Sequence, residues 1–243
     1  MTDPIDVLLW VVLPYLAIAL LVGGTAWRWR HDQFGWTTRS SQLHESRLLR
    51  IGSPLFHCGL LLVAGGHVAG LLVPASLTRW LGVHDEVYHV VSLVAGTVTG
   101  VAAVAGLAVL LYRRWRVPAV RKATTRNDVV TYVVLGAALL LGMAATVITN
   151  GVQGGYDYRA TVAPWFREVL LLRPDPSRMA DVPLSYQMHT VVGMLLFALW
   201  PFSRLVHAFS APVRYLVRPY VVYRSRTTKR LATRSSRPGW DEP

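Results

Sequence analysis

The sequence predicts an all-α integral membrane protein, a bundle of five helices with its N-terminus outside and its C-terminus in the cytoplasm. Three observations carry that expectation. Of the 243 residues, 53% are apolar and only 16% charged, and mean hydropathy is +0.37. The charged residues crowd between five long apolar stretches, whereas a soluble helical protein spreads them along every polar helix face. The basic residues also alternate from one connection to the next, as in chains threaded through a bilayer.

Taken in order, the spans are expected near 7–27, 54–73, 90–112, 129–149 and 188–207. Each offers about 20 apolar residues, enough to cross a hydrocarbon core of roughly 30 Å. The first stretch is too long for a cleaved leader and lacks the basic start and small-residue cleavage pattern, so it reads as a permanent span. The connection after it holds Phe34-Gly35-Trp36-Thr37 and Ser40-Ser41-Gln42, turn-forming and polar residues of a loop. Trp36, Ser41 and Gln42 are its candidates for docking a soluble partner. Gly65-Gly66 and Gly70 in the second stretch, Gly96 and Gly100 in the third and Gly193 in the fifth mark places where a helix or a flat cofactor can approach a backbone closely. The connection 150–186 is the longest, and its amphipathic run 165–172 suits a helix lying on the membrane surface, part of a cap over that mouth of the bundle. In the fifth stretch Pro201 removes a helix hydrogen bond and provides a bend. Residues 1–223 thus form the membrane domain, and 224–243 a polar, basic cytoplasmic tail that awaits a partner or anionic lipid.

The net charge of +12 resolves into topology once the basic residues are placed. None precedes the first span; Arg28, Arg30, Arg39, Arg47 and Arg50 follow it; only Arg79 lies in the next connection. The third connection has Arg113, Arg114, Arg116, Arg121, Lys122 and Arg126, the fourth has four arginines against four acids, and nine basic residues follow from Arg204 onward. Basic residues favour the cytoplasmic side, which sets the orientation given above and leaves no need for a nucleic-acid partner. The single cysteine, Cys58, excludes a disulfide framework, a CxxCH haem attachment and a four-thiolate iron–sulfur cluster within this chain.

Cofactor chemistry therefore rests on histidine. Of eight histidines, His57, His67, His189 and His207 fall within the second and fifth stretches or at their ends, and ionisable residues inside a membrane are usually functional. The two stretches run in opposite directions, so depth pairs His57 with His207 toward the cytoplasm and His67 with His189 toward the outside. On ideal helices the separations are about 15 Å between His57 and His67 and about 27 Å between His189 and His207. Eighteen residues place His189 and His207 on one face, while ten leave the other two roughly 80° apart, so one helix must tilt or bend, at Gly65-Gly66 or Pro201. Two histidines at each of two depths suit two planar macrocycles with six-coordinate iron, which relay electrons. Small residues near each ligand, Ser53, Ala64, Gly70, Gly193 and Ser203, leave room for such planes. Zinc or copper is the alternative, as in a transition-metal transporter with transient histidine ligands; a closed zinc site usually converges four ligands. Arg204, one turn before His207, suits a contact to a haem propionate.

The stretches Leu55-Phe56-His57 to Gly66-His67 and His189 to Pro201-Phe202-Ser203-Arg204-Leu205-Val206-His207, with Ser40-Ser41-Gln42, resemble the gamma subunit of membrane-bound respiratory nitrate reductase. The resemblance runs from the first span to about Arg226. It implies a cytochrome b of the bacterial cytoplasmic membrane with two b haems, ligated by the four histidines as depth pairs them, which oxidises quinol near the outer haem. Electrons would pass to a cytoplasmic iron–sulfur beta subunit and a molybdenum-containing alpha subunit that reduces nitrate. The family's quinol pocket includes a lysine shortly after the second span; here that segment reads His84-Asp85-Glu86-Val87-Tyr88-His89. Glu86 and His89, with Gly66, are the candidate pocket residues in its place. A cytochrome b subunit of another respiratory oxidoreductase is the other reading of this architecture.

Overall fold

The computed structural model describes residues 3–36 and 40–210; the expected tail 224–243 lies outside them. The described residues are helical and contain no strand. Four helices are long and apolar enough to cross a membrane, Pro4–His31, Arg47–Leu72, Asp85–Arg116 and Arg126–Val152. The pair Leu184–Phe202 and Arg204–Ser210, bent by 77° at a break between them, is the fifth when the two are counted as one span. These are the five expected spans, most of them longer at both ends than hydropathy alone suggests. Their added turns carry Arg28, Arg30, Arg47, Arg50, Arg113, Arg114 and Arg116; of these Arg30, Arg47, Arg50 and Arg116 are exposed, with heads free to reach water, whereas Arg28 and Arg113 are buried.

Local chemistry explains where the helices start. Asp3 caps the first, accepting from Ile5 N, with Pro4 at the first helical position, where its missing N–H costs nothing. Thr125 and Asp128 form a reciprocal capping box at the start of the fourth, each side chain accepting from the other's backbone N–H. The second span begins at Arg47 and runs through Pro54, which corrects the expected start at the proline.

The second and third spans pack closely where glycine permits it. A Cβ on Gly59 would stand 2.6 Å from Ala103 N, and one on Gly106 would strike the Phe56 backbone. Gly96 and Gly100 face Thr146 and Met143 of the fourth span. Large side chains such as Leu61 (72% exposed), Val98 (63%) and Val133 (64%) point outward, the surface expected of helices solvated by lipid rather than water.

The connection between the fourth and fifth spans holds a helix, Val162–Leu170. One face of it is covered by protein: Val162, Trp165 and Val169 are buried in a cluster with Trp10, Ala17 and Met194, while Leu170, Leu171 and Leu172 stay exposed. Trp165 Nε1 donates to Trp10 O at 2.9 Å, and the two indoles meet edge to face. The apolar side of this helix finds protein to cover it, so it closes one end of the bundle.

Candidate haem sites

His57 and His67 lie on the second span; His189 lies on the fifth, and His207 in the turn beyond its break. The structure sets the rings in two pairs, His67 with His189 (centroids 5.7 Å apart) and His57 with His207 (6.2 Å). Their hydrogen bonds define the chemistry. His57 Nδ1 lies 2.7 Å from Ser53 O, His67 Nδ1 2.8 Å from Val63 O, His189 Nδ1 3.0 Å from Ala138 O, and His207 Nδ1 bonds Arg204 O. A carbonyl oxygen can only accept, so each Nδ1 carries a proton, which in a neutral imidazole leaves Nε2 with its lone pair. The Nε2 atoms of His67 and His189 face each other at 3.5 Å. Two lone pairs in apposition form no hydrogen bond; they call for an electron-pair acceptor between them.

An iron bonded to two imidazole nitrogens at about 2 Å each, the usual metal–imidazole length, sets the nitrogens about 4 Å and the ring centroids about 6 Å apart. The ring centroids of both pairs lie near that spacing, and the His67 and His189 Nε2 atoms stand about half an ångström inside it. Among the described residues no cluster of three or more His, Cys, Asp or Glu is placed to hold a metal ion, so a bound iron would draw its other donors from its own macrocycle. Space suits that plane: the positions where Gly65, Gly66 and Gly193 would carry a Cβ have nothing within 4 Å. Behind His189, a Cβ on Gly142 would stand 3.0 Å from the ring, so the fourth span backs the imidazole with Gly142 and orients it with Ala138 O. Carbonyl-bound Nδ1 atoms are the usual supports of metal-ligating histidines.

Residues 6–226 match the nitrate reductase gamma subunit family. The chain belongs to that family. It is 51% identical over 239 residues to nitrate reductase-like protein NarX of Mycobacterium tuberculosis, an alignment covering 98% of this chain and 36% of that protein. This chain therefore spans about a third of the length of that relative. It is 48% identical over 220 residues to the nitrate reductase gamma chain of Bacillus subtilis, covering 90% of this chain and 98% of the other. Identity to the respiratory nitrate reductase 1 gamma chain of Escherichia coli is 34% over 217 residues, 88% and 95% of the two chains.

The remaining expected residues of this gamma-family chain have definite surroundings. Arg204 is occupied within the chain: its Nε and Nη2 both donate to Asp128 Oδ1 at 2.8 Å. Ser41 is buried and accepts from Arg113 through its hydroxyl and its carbonyl, which corrects its place as an exposed docking residue; Gln42 is exposed, and Trp36 packs edge to face on Trp29. Glu86 and His89 lie in the first turns of the third span. Glu86 is exposed, and His89 is half-buried over Gly155, whose φ of +93° favours glycine; a Cβ there would stand 3.1 Å from the His89 ring. Gly66 is not in contact with either, since nothing lies within 4 Å of its Cβ position.

Sequence reasoning passed over three features. A cleft of about 220 Å³ opens one turn from His189, lined by Ala144, Ile148, Thr149, Gln153, Pro183, Leu184 and Ser185, with Thr149 and Ser185 hydroxyls 2.8 Å apart. Elsewhere the Tyr88 and Tyr158 hydroxyls meet at 3.2 Å, and Arg159 lies 3.8 Å over the Tyr88 ring. Burial pushes the Tyr158 phenol well above its ordinary pKa. Arg28, Asn127 and Asp128, which in sequence read as polar flanks of spans, all reach into the break before His207.

Proposed function

We propose that the chain is the membrane cytochrome b of a quinol:nitrate oxidoreductase, holding one b haem at His57/His207 and one at His67/His189 and oxidising quinol at the latter. The observation that carries this is the apposition of two Nε2 lone pairs at 3.5 Å, both fixed by Nδ1 bonds to backbone carbonyls. When bound, six-coordinate haems supply one-electron chemistry between a quinol and an iron–sulfur acceptor. The chain's own residues hold the imidazoles in the ligating tautomer and leave apolar space beside Gly66 and Gly193.

Family membership selects a nitrate reductase over the other oxidoreductases that use a two-haem helical bundle, and over a metal transporter. The proposed partners are an iron–sulfur beta subunit and a molybdenum alpha subunit. They would dock at the end rich in arginine, which the positive-inside rule assigns to the cytoplasm. The tail 224–243 belongs to the same proposed surface.

Quinol oxidation releases protons as well as electrons. Tyr158, whose burial holds its proton, is no base at neutral pH; Glu86 and His89 at the mouth of the same end are the groups able to accept one. The cleft beside Ser185 gives the quinol ring a polar wall near His189.

A reduced-minus-oxidised spectrum of the purified chain with potentiometric titration tests the assignment. The wild type should show b-type bands from two haems, His67→Ala and His189→Ala should lose one of them, and His57→Ala and His207→Ala the other. Loss of the same haem from His57→Ala and His67→Ala would overturn the pairing, and a wild type without b-type bands the whole reading.

A further inference from the structure

The fifth crossing breaks where a ligand-bearing helix would be expected to run straight. Pro201 has no N–H to give, Trp200–Phe202 tightens to a 3-10 turn, and Ser203 is extended (φ −113°, ψ 179°) before the chain resumes at Arg204. Such a break strands carbonyl groups in an apolar setting, where each needs a partner.

Each stranded residue is caught from another span. Arg28, buried at the end of the first span, donates from Nη1 to Pro201 O (2.7 Å) and to Ser203 O (3.0 Å). Asn127 Nδ2 donates to Phe202 O at 2.7 Å, and Asp128 binds the Arg204 guanidinium. Two neighbouring helices thus hold four consecutive residues. The next fixed point is His207, whose Nδ1 bonds the carbonyl of the clamped Arg204. Arg28 also reaches Gly35 O through Nη2 and Asp32 through Nε, so one guanidinium joins the loop after the first span to the turn that carries His207.

We propose that Arg28, with Asn127 in support, is a positioning residue for the His207 imidazole: it fixes the broken turn and thereby the ring orientation at the His57/His207 site. This rests on the bis-histidine haem reading above. A salt bridge to Asp32 alone would not ask for two carbonyl contacts on the neighbouring fifth crossing. Nor would simple anchoring at a basic membrane edge leave the guanidinium buried.

The test uses the full chain in membranes with haem bound. Electron paramagnetic resonance of low-spin ferric haem responds to the relative orientation of the two axial imidazoles, and potentiometry separates the two haems. Arg28→Gln should keep both haems, move the resonance and midpoint of the haem that His57→Ala removes, and leave the other haem as in the wild type. Arg28→Lys, a point charge without the fork that spans two carbonyls, should not restore the wild-type signal. Unchanged signals in Arg28→Gln, or equal changes at both haems, would overturn the proposal. If Arg28→Gln does not accumulate, Asn127→Leu decides: it must shift the same haem, and a wild-type spectrum in that variant rejects the brace. A wild-type chain lacking low-spin haem signals would instead reject the haem reading on which the brace rests.

Discussion

At the scale of single residues, buried arginines do much of the fixing at the arginine-rich end. Arg113, at the end of the third span, is 2% exposed and directs Nε to Glu45 (2.6 Å), Nη1 to Ser41 Oγ, and Nη2 to the carbonyls of Ser41 and Glu45. Its guanidinium is thereby matched to one carboxylate and a loop backbone, the fork geometry for which lysine is no substitute. The Leu48 N–H, and with it Arg113, holds the Glu45 carboxyl below the usual carboxylate range. A depressed carboxylate stabilises the folded loop at neutral pH and above its ordinary pKa, and that stabilisation is lost as pH falls through the lowered value. The segment 40–46 should therefore loosen only under acid. Hydrogen exchange at its amides should rise as pH drops below the carboxylate range, after correction for intrinsic rates, and Glu45→Gln should show the raised exchange already at pH 7. Exchange in Glu45→Gln equal to wild type at neutral pH would remove Glu45 from the brace.

At the scale of elements, the helices follow from hydropathy, but their contacts follow from residues that hydropathy does not weigh. The closest approach between the second and third spans passes through Gly59 against Ala103 and Gly106 against Phe56, not through Gly65-Gly66, which face open space beside His67. Gly106→Ala would place a methyl against backbone that has no rotamer to yield. The expected cost is at the upper end of overpacking, about 3 kcal/mol, read as a lowered unfolding midpoint in detergent, whereas Gly23→Ala, whose Cβ position has nothing within 4 Å, should be nearly silent. Five crossings and the division of the histidines between two of them were legible in the sequence, because charge exclusion and depth are one-dimensional properties. The shape of the fifth crossing was only half legible. Pro201 announces a bend, but the expected shared helical face of His189 and His207 assumed a regular helix, and the 77° break removes that assumption. The partners of the break sit on the first and fourth spans, at separations of 173 residues for Arg28 to Pro201 and 75 for Asn127 to Phe202. No local pattern encodes such pairings: Arg28 reads as an ordinary basic flank until the third dimension brings Pro201 to it. Gly142 and Ala138 escaped notice for the same reason, as small residues in a helix with no histidine.

At the scale of the whole molecule, the two histidine pairs set a direction for the proposed reaction. They lie at two depths along the second span, ten residues apart, with His57 toward the arginine-rich connections and His67 toward the connection 150–186 with its covering helix Val162–Leu170. If the arginine-rich end faces the cytoplasm, electrons bound for a cytoplasmic acceptor must enter at His67/His189, since entry beside His57/His207 would leave the other site without a task. A quinol gives up two protons with its two electrons, and the acceptors available at that mouth, exposed Glu86 and half-buried His89, open to the outside rather than to the cytoplasm. Protons are then released on one side while electrons are delivered to the other, so the reaction separates charge across the membrane. Spheroplasts carrying the assembled enzyme, loaded with nitrate and given a quinol, should acidify the external medium by about two protons for each quinol oxidised. Substituting both Glu86→Gln and His89→Gln should slow quinol oxidation at pH 7, because the quinol then loses both side chains proposed to take its protons. Protons appearing on the cytoplasmic side, or normal quinol oxidation in His67→Ala membranes that lack the haem of that end, would place the donor site at the opposite end of the bundle.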